Sequence, residues 1–233
     1  DRDHNFSHLT TLLRLAKNQE VDFAVLPEMF STGFIVESRD SAEPINGPSS
    51  QFLRQMANEL SMWIAGSCPE YDLDDPRPYN SLVIASPDGR MFRYRKIHPF
   101  SYGGEDRHYR SGDSFLTITI DDMRVSFFVC YDLRFADEFW TLAHDTDLYV
   151  VPANWPTSRR EHWLALLTAR AIENQAYVLG CNRIGTGGGL AYSGDSRIID
   201  PLGKDIARGS SDEMIVTADI SAATVNEVRS KYP

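Results

Sequence analysis

Positive charge is in short supply in this sequence. It has 23 Lys and Arg against 33 Asp and Glu, a formal net charge of −10 over 233 residues. A surface of that sign repels polyanions, so neither a nucleic acid nor an anionic membrane is expected as a partner. Cysteine is scarce too. Cys68, Cys130 and Cys181 are too few and too scattered for a disulfide framework. None belongs to a CxxC pair and there is no HExxH, so a dedicated zinc site is not expected. The odd cysteine count leaves at least one free thiol, which suits a reducing cytoplasm. Long apolar runs are missing: the longest, such as 147–153, are strand-sized, so no signal peptide or membrane-spanning helix is expected. No repeat, low-complexity tract or Pro/Gly/Ser linker divides the chain, and one domain over 1–233 is the expectation.

What is present is an alternation of short β-rich runs and amphipathic helical stretches. Phe6, Leu9, Leu12, Leu13 and Ala16 are spaced for a helix over 6–19, and 49–61 repeats the pattern with Phe52, Leu53, Met56 and Leu60. VDFAVL, MWIAGS and NSLVIAS read as strands, and PDG at 87–89 predicts a hairpin between 80–86 and 90–96. In the second half FLTITI, RVSFFVC, DLYVVPA, AYVLGCNR, SRIID and roughly 214–220 read as strands. ADEFWTLAHD and 160–175 read as helices, the latter with Trp163, Leu164, Leu167, Ala171 and Ile172 as its apolar stripe. Helices alternating with strands, plus hairpins, predict an α/β protein with mixed sheets.

Three residues stand at predicted strand ends with chemistry to offer. Cys130 closes VSFFVC ahead of a helix, where backbone N–H groups can hold an oxyanion; a thiol after an apolar strand is also a common core residue. Glu28 follows VDFAVLP in poorly solvated surroundings that favour a general base, or it caps the next segment. Lys96 closes YRK, in a place where a surface lysine would also fit.

Together, LPEMF, YRKIHPF and VCYDLRF resemble the three catalytic motifs of the nitrilase superfamily, the carbon–nitrogen hydrolases. The resemblance covers nearly the whole chain. It is nearest the ω-amidase-like branch, on LPEMFSTGF, CYDLRF, PANWP, ARAIENQAYVLGCNRIG and YSGDSRIIDPLG. It implies a Glu28, Lys96, Cys130 triad, with Glu105 in SYGGEDRHY as a second glutamate and Asp106 as its nearest competitor. The implied fold is a four-layer α-β-β-α sandwich that forms a homodimer. The implied reaction needs no metal and no organic cofactor. Glu28 deprotonates the Cys130 thiol, the sulfur attacks an amide carbonyl, and Lys96 with the Tyr131 N–H holds the oxyanion. The implied substrate is a small linear amide, foremost an ω-amide of a 2-oxo dicarboxylic acid such as 2-oxoglutaramate. Sibling activities on N-carbamoyl amino acids or deaminated glutathione use the same triad, and a catalytically silent binding module is the rival of another class.

Arg134, four residues past Cys130, offers a guanidinium to a substrate carboxylate or, at helical spacing, to Glu138. Asn154 and Trp155 line the pocket or shape the turn after DLYVVPA. Loops 31–45, 98–113 and 185–195 are expected to set pocket shape. A papain-like pair would need His98, His108 or His162 to reach Cys130. The glycines at 185 and 187–189 lack GxGxxG and a Walker lysine and read as a turn. Cys68 and Cys181 read as core. Family members usually begin with a strand before the first helix and continue past the point matching Pro233, so this sequence is expected to be part of a longer protein.

Overall fold

The computed structural model describes residues 1–34, 41–72 and 77–233. The part of the 31–45 loop at 35–40 lies outside the described residues. Two compact units, Asp1–Ser114 and Phe115–Pro233, each carry their own sheet.

In the first unit the elements are α1 (Arg2–Asn18), β1 (Phe23–Val25), β2 (Glu43–Pro44), α2 (Pro48–Leu60), β3 (Trp63–Tyr71), β4 (Tyr79–Ala85), β5 (Met91–Arg95) and α3 (Glu105–His108). Helix α1 starts earlier than its apolar spacing predicts because the Asp1 carboxylate caps it, accepting from the Asp3 and His4 N–H groups. Helix α2 opens on Pro48 after Gly47, which has no capping side chain. Glu43 supplies the cap instead, accepting from the Ser49 N–H at 2.6 Å and its hydroxyl at 2.8 Å. Phe6 of α1 stacks on Phe52 of α2 at 4.4 Å, above a core that includes Leu13, Leu53, Met56, Ile64 and Val83. β1 and β2 both pair with β3 in parallel, and β3, β4 and β5 run antiparallel. The hairpin expected around 87–89 joins β4 to β5.

The second unit holds β6 (Thr117–Ile120), β7 (Met123–Phe127), α4 (Ala136–Thr141), β8 (Leu148–Ala153), α5 (Arg160–Asn174), β9 (Tyr177–Asn182), β10 (Ile184–Gly187), β11 (Leu190–Ser193), β12 (Arg197–Ile199), β13 (Asp205–Arg208) and α6 (Ala222–Lys231). Its main sheet runs β13-β12-β9-β8-β7-β6, with β7, β8 and β9 parallel and the outer pairs antiparallel. β8 is buried along its whole length, as expected of a strand inside a parallel stretch.

Two expectations are corrected here, and the turn expected at the glycines is found. Residues 214–220 are irregular, and the sheet ends at β13 on that side without them. Ile172 is exposed, whereas Arg170 and Asn174 join Trp163, Leu167 and Ala171 on the buried face of α5. Arg170 is buried because its charge is answered: it donates to the Leu133 carbonyl at 2.7 Å and to Glu173 at 2.6 Å. The glycine stretch is the tip of a β10-β11 hairpin, with Gly188 and Gly189 at positive φ as a tight hairpin turn demands.

Candidate active site

Within the first unit, the sequence brings four polar side chains to one buried place. The chain leaves β1 through Pro27 and turns sharply at Met29, whose φ is +50° and whose N–H is held by the Ser67 hydroxyl at 2.8 Å. That turn faces Glu28 inward, where it is 1% exposed. Lys96 follows β5 directly, with its N–H on the Asn80 carbonyl at 2.9 Å and its carbonyl taking the Gly112 N–H at 2.8 Å. A side chain at 112 would place Cβ 2.1 Å from the Arg95 carbonyl oxygen, so only glycine allows this approach. Gly104, at φ +79°, turns the chain into α3 and delivers Glu105 to the interior, while Asp106 beside it is exposed.

The Lys96 ammonium donates to Glu28 Oε1 at 3.0 Å and to Glu105 Oε2 at 2.8 Å. The Phe100 N–H adds a bond to the same Glu105 oxygen at 2.5 Å. Asn80 completes the group, donating from Nδ2 to Glu28 Oε1 at 2.8 Å and to Glu105 Oε1 at 3.1 Å. Tyr109 lies close by; burial first, then the charges of Glu105 and Glu28, push its phenol above the ordinary tyrosine range. An ammonium buried between two carboxylates is a costly arrangement that packing alone does not call for. Sequence reading missed Asn80 and Tyr109. The only trace of Asn80 was a polar residue opening an otherwise apolar strand.

In the second unit, β7 stops at Phe127, two residues before the apolar run ends. The cause is Asp132: its carboxylate takes the Val129 N–H at 2.9 Å and its own N–H bonds the Val129 carbonyl at 3.1 Å. Cys130 therefore opens a 3-10 turn, Cys130–Arg134, rather than closing the strand. Its φ is +48°, in the left-handed region that disfavours a residue with Cβ. Strain of this kind collects where a side chain must be presented in one direction.

Cys130, Tyr131 and Arg134 are half-buried on this turn. The Arg134 guanidinium lies 4.9 Å over the Trp155 ring and 5.8 Å from that of Tyr131. Its hydrogen bond goes to His162 Nδ1 at 3.0 Å, not to Glu138. Since arginine only donates, Nδ1 is the accepting nitrogen of that imidazole. Trp155 is buried with its N–H on Asn182 Oδ1 at 2.7 Å and its indole N–H on the Arg159 carbonyl at 2.8 Å; Asn154 before it is buried as well. The other two thiols lie in strands. Burial, then the charges of Glu70 and Glu43, push Cys68 well above the ordinary thiol range. Burial pushes Cys181 up to about 12 despite a hydrogen bond with Ser196.

The profile of the family described as Carbon-nitrogen hydrolase matches residues 1–230. The chain belongs to the carbon-nitrogen hydrolase family. Among its curated relatives, Omega-amidase YafV of Escherichia coli K12 is 39% identical over 91% of this chain and 82% of its own. The 2-oxoglutaramate amidase of Bacillus subtilis is 34% identical over 93% of this chain and 85% of its own. Human Omega-amidase NIT2 is 32% identical over 100% of this chain and 88% of its own. In structure, this carbon-nitrogen hydrolase superposes on XC1258 of Xanthomonas campestris with a TM-score of 0.94 at 36% identity, covering 100% of this chain and 90% of the other. XC1258 is a CN-hydrolase superfamily protein whose crystal structure carries an arsenic adduct in the active site. The expected α/β fold with mixed sheets is the one found.

Proposed function

We propose that the chain is an amidase that hydrolyses an ω-amide of a 2-oxo dicarboxylic acid, of the 2-oxoglutaramate type, to the acid and ammonia. The observation that carries the reading is the buried Lys96 held between Glu28 and Glu105. It supplies a base and an electrophile that a silent binding scaffold has no need to bury. The substrate class is supported by the curated relatives named for ω-amidase and 2-oxoglutaramate amidase activity.

In this reading Glu28 takes the Cys130 thiol proton and the sulfur adds to the amide carbonyl. The Lys96 ammonium and the Tyr131 N–H hold the oxyanion. The C–N bond breaks, and ammonia leaves with the proton carried by Glu28. Water, deprotonated by the same carboxylate, then attacks the thioester to release the acid and restore the thiol. Glu105 keeps Lys96 in place. Arg134, held on the Trp155 face and paired with a neutral imidazole nitrogen, takes the distal carboxylate of the substrate. Asn154 and Trp155 line the acyl chain. The whole chain acts as one hydrolase domain, in the cytoplasm, as a homodimer. The exposed Trp140 of α4 and Ile172 of α5 support an apolar contact between two copies.

Ammonia release from 2-oxoglutaramate, succinamate, glutamine, asparagine and an N-carbamoyl amino acid tests the reading. Turnover of the ω-amides that disappears in Cys130→Ala is the expected result. Release from the carbamoyl compound alone would overturn the substrate class.

A further inference from the structure

We propose that Asn80 is a positioning residue that aligns Glu28 and Glu105 about Lys96, and that its amide nitrogen rather than its bulk does so. The proposal rests on the reading of Glu28 as general base. Asn80 is 1% exposed, and just past the last β4–β5 pair, Ser81 with Arg95, its carbonyl takes the Lys96 N–H at 2.9 Å. Its one nitrogen serves both carboxylates, while Lys96 serves the same two from its ammonium. The four side chains close a ring, lysine to glutamate to asparagine to glutamate, in which each carboxylate receives one donor from each side.

The direction of the amide comes at a cost that the ring explains. Asn80 Oδ1 is buried with no hydrogen-bond partner among the described residues. Turning the amide over would set that oxygen against two carboxylate oxygens, so the glutamates dictate which end points inward. The Asn80 amide and the Lys96 ammonium both donate to Glu28 Oε1. Among the described residues of this unit, the Tyr109 phenol feels the charges of Glu105, Glu28 and Lys96, and the Cys68 thiol lies within its electrostatic reach.

Asn80→Asp keeps the shape but replaces the donor with a third acceptor; Asn80→Ala removes both. A donor role makes Asn80→Asp the worse variant, with kcat down about 100-fold at little-changed KM, against about tenfold for Asn80→Ala. It also gives Asn80→Asp the lower Tm near neutral pH. On acidification the introduced carboxyl gains a proton and can donate again, so its Tm deficit against wild type narrows while that of Asn80→Ala does not. Asn80→Ser, a smaller residue that keeps a donor, retains more kcat than Asn80→Ala. Alanine equal to or worse than aspartate, an Asn80→Asp deficit that does not narrow, or serine no better than alanine would overturn the proposal. The Tm comparisons need no turnover. A wild type inert toward every amide would therefore sink the proposed reaction and still leave Asn80 decided.

Discussion

Lys96 balances two carboxylates in a place without water contact, and its removal has a different effect from that of a surface lysine. Lys96→Met should cost about 3–5 kcal/mol of stability, because it strands Glu28 and Glu105 against each other; a urea midpoint close to wild type would contradict this. The three thiols give a second test at the same scale. Cys68 is buried and Cys181 half-buried in strands, each with its thiol pushed up by desolvation, whereas Cys130, also half-buried, stands on a turn. Iodoacetamide followed by peptide mapping should mark Cys130 well ahead of the other two. Equal, slow labelling of all three would remove Cys130 from the role of nucleophile. At this scale the sequence revealed residues whose neighbours form recognisable strings, such as LPEMF and VCYDLRF. Asn80 was invisible because its importance comes from strand register: the β4–β5 pairing carries it to Lys96, whose N–H its carbonyl accepts.

Elements were legible where a side-chain pattern alone decides them, and illegible where a partner does. The hairpin over 87–89 follows from its turn residues. Residues 214–220 have strand-like composition, but a strand needs a partner, and they pair with none of the sheet's strands. The C-terminal helix α6 escaped reading because its apolar face is thin, with only Val225 and Val228 buried. Polar contacts hold it instead: the Ser221 hydroxyl caps its start, and Arg229 donates to the carbonyls of Ala143, Thr146 and Asn174 at 2.9, 2.7 and 3.2 Å. Arg229→Ala should therefore cost about 2 kcal/mol, since three carbonyls lose a charged donor together. Ser221→Ala should cost about 1 kcal/mol. Chemical denaturation of the two variants checks both figures, and amide exchange over 222–231 shows whether the loss is local to α6.

For the molecule as a whole, acid stability draws on carboxylates tied to arginines, two of which, Asp147 and Asp195, lie in the second unit. Burial would raise Asp147, but hydrogen bonds from Arg124 and the charges of Arg124 and Arg229 outweigh it and hold the carboxyl below its ordinary value. Burial would likewise raise Asp195, and the Arg160 and Ser193 hydrogen bonds with the charges of Arg160 and Arg208 bring it down. A folded pKa below the unfolded one gives stability that is present above the unfolded value and lost as pH falls through the folded one. Unfolding free energy should thus hold steady near neutrality and decline below about pH 4. Asp195→Asn should flatten part of that decline, and a pH titration of the Tm that is superimposable for variant and wild type would rule Asp195 out as a contributor. The left-handed backbone at Cys130 sets activity against robustness in one residue. Cys130→Gly should unfold later than Cys130→Ala by about 1 kcal/mol, because glycine adopts that φ without strain. A search for hardier variants that screens thermostability alone would thus be drawn to position 130, and the hardiest molecules it kept there would be inert.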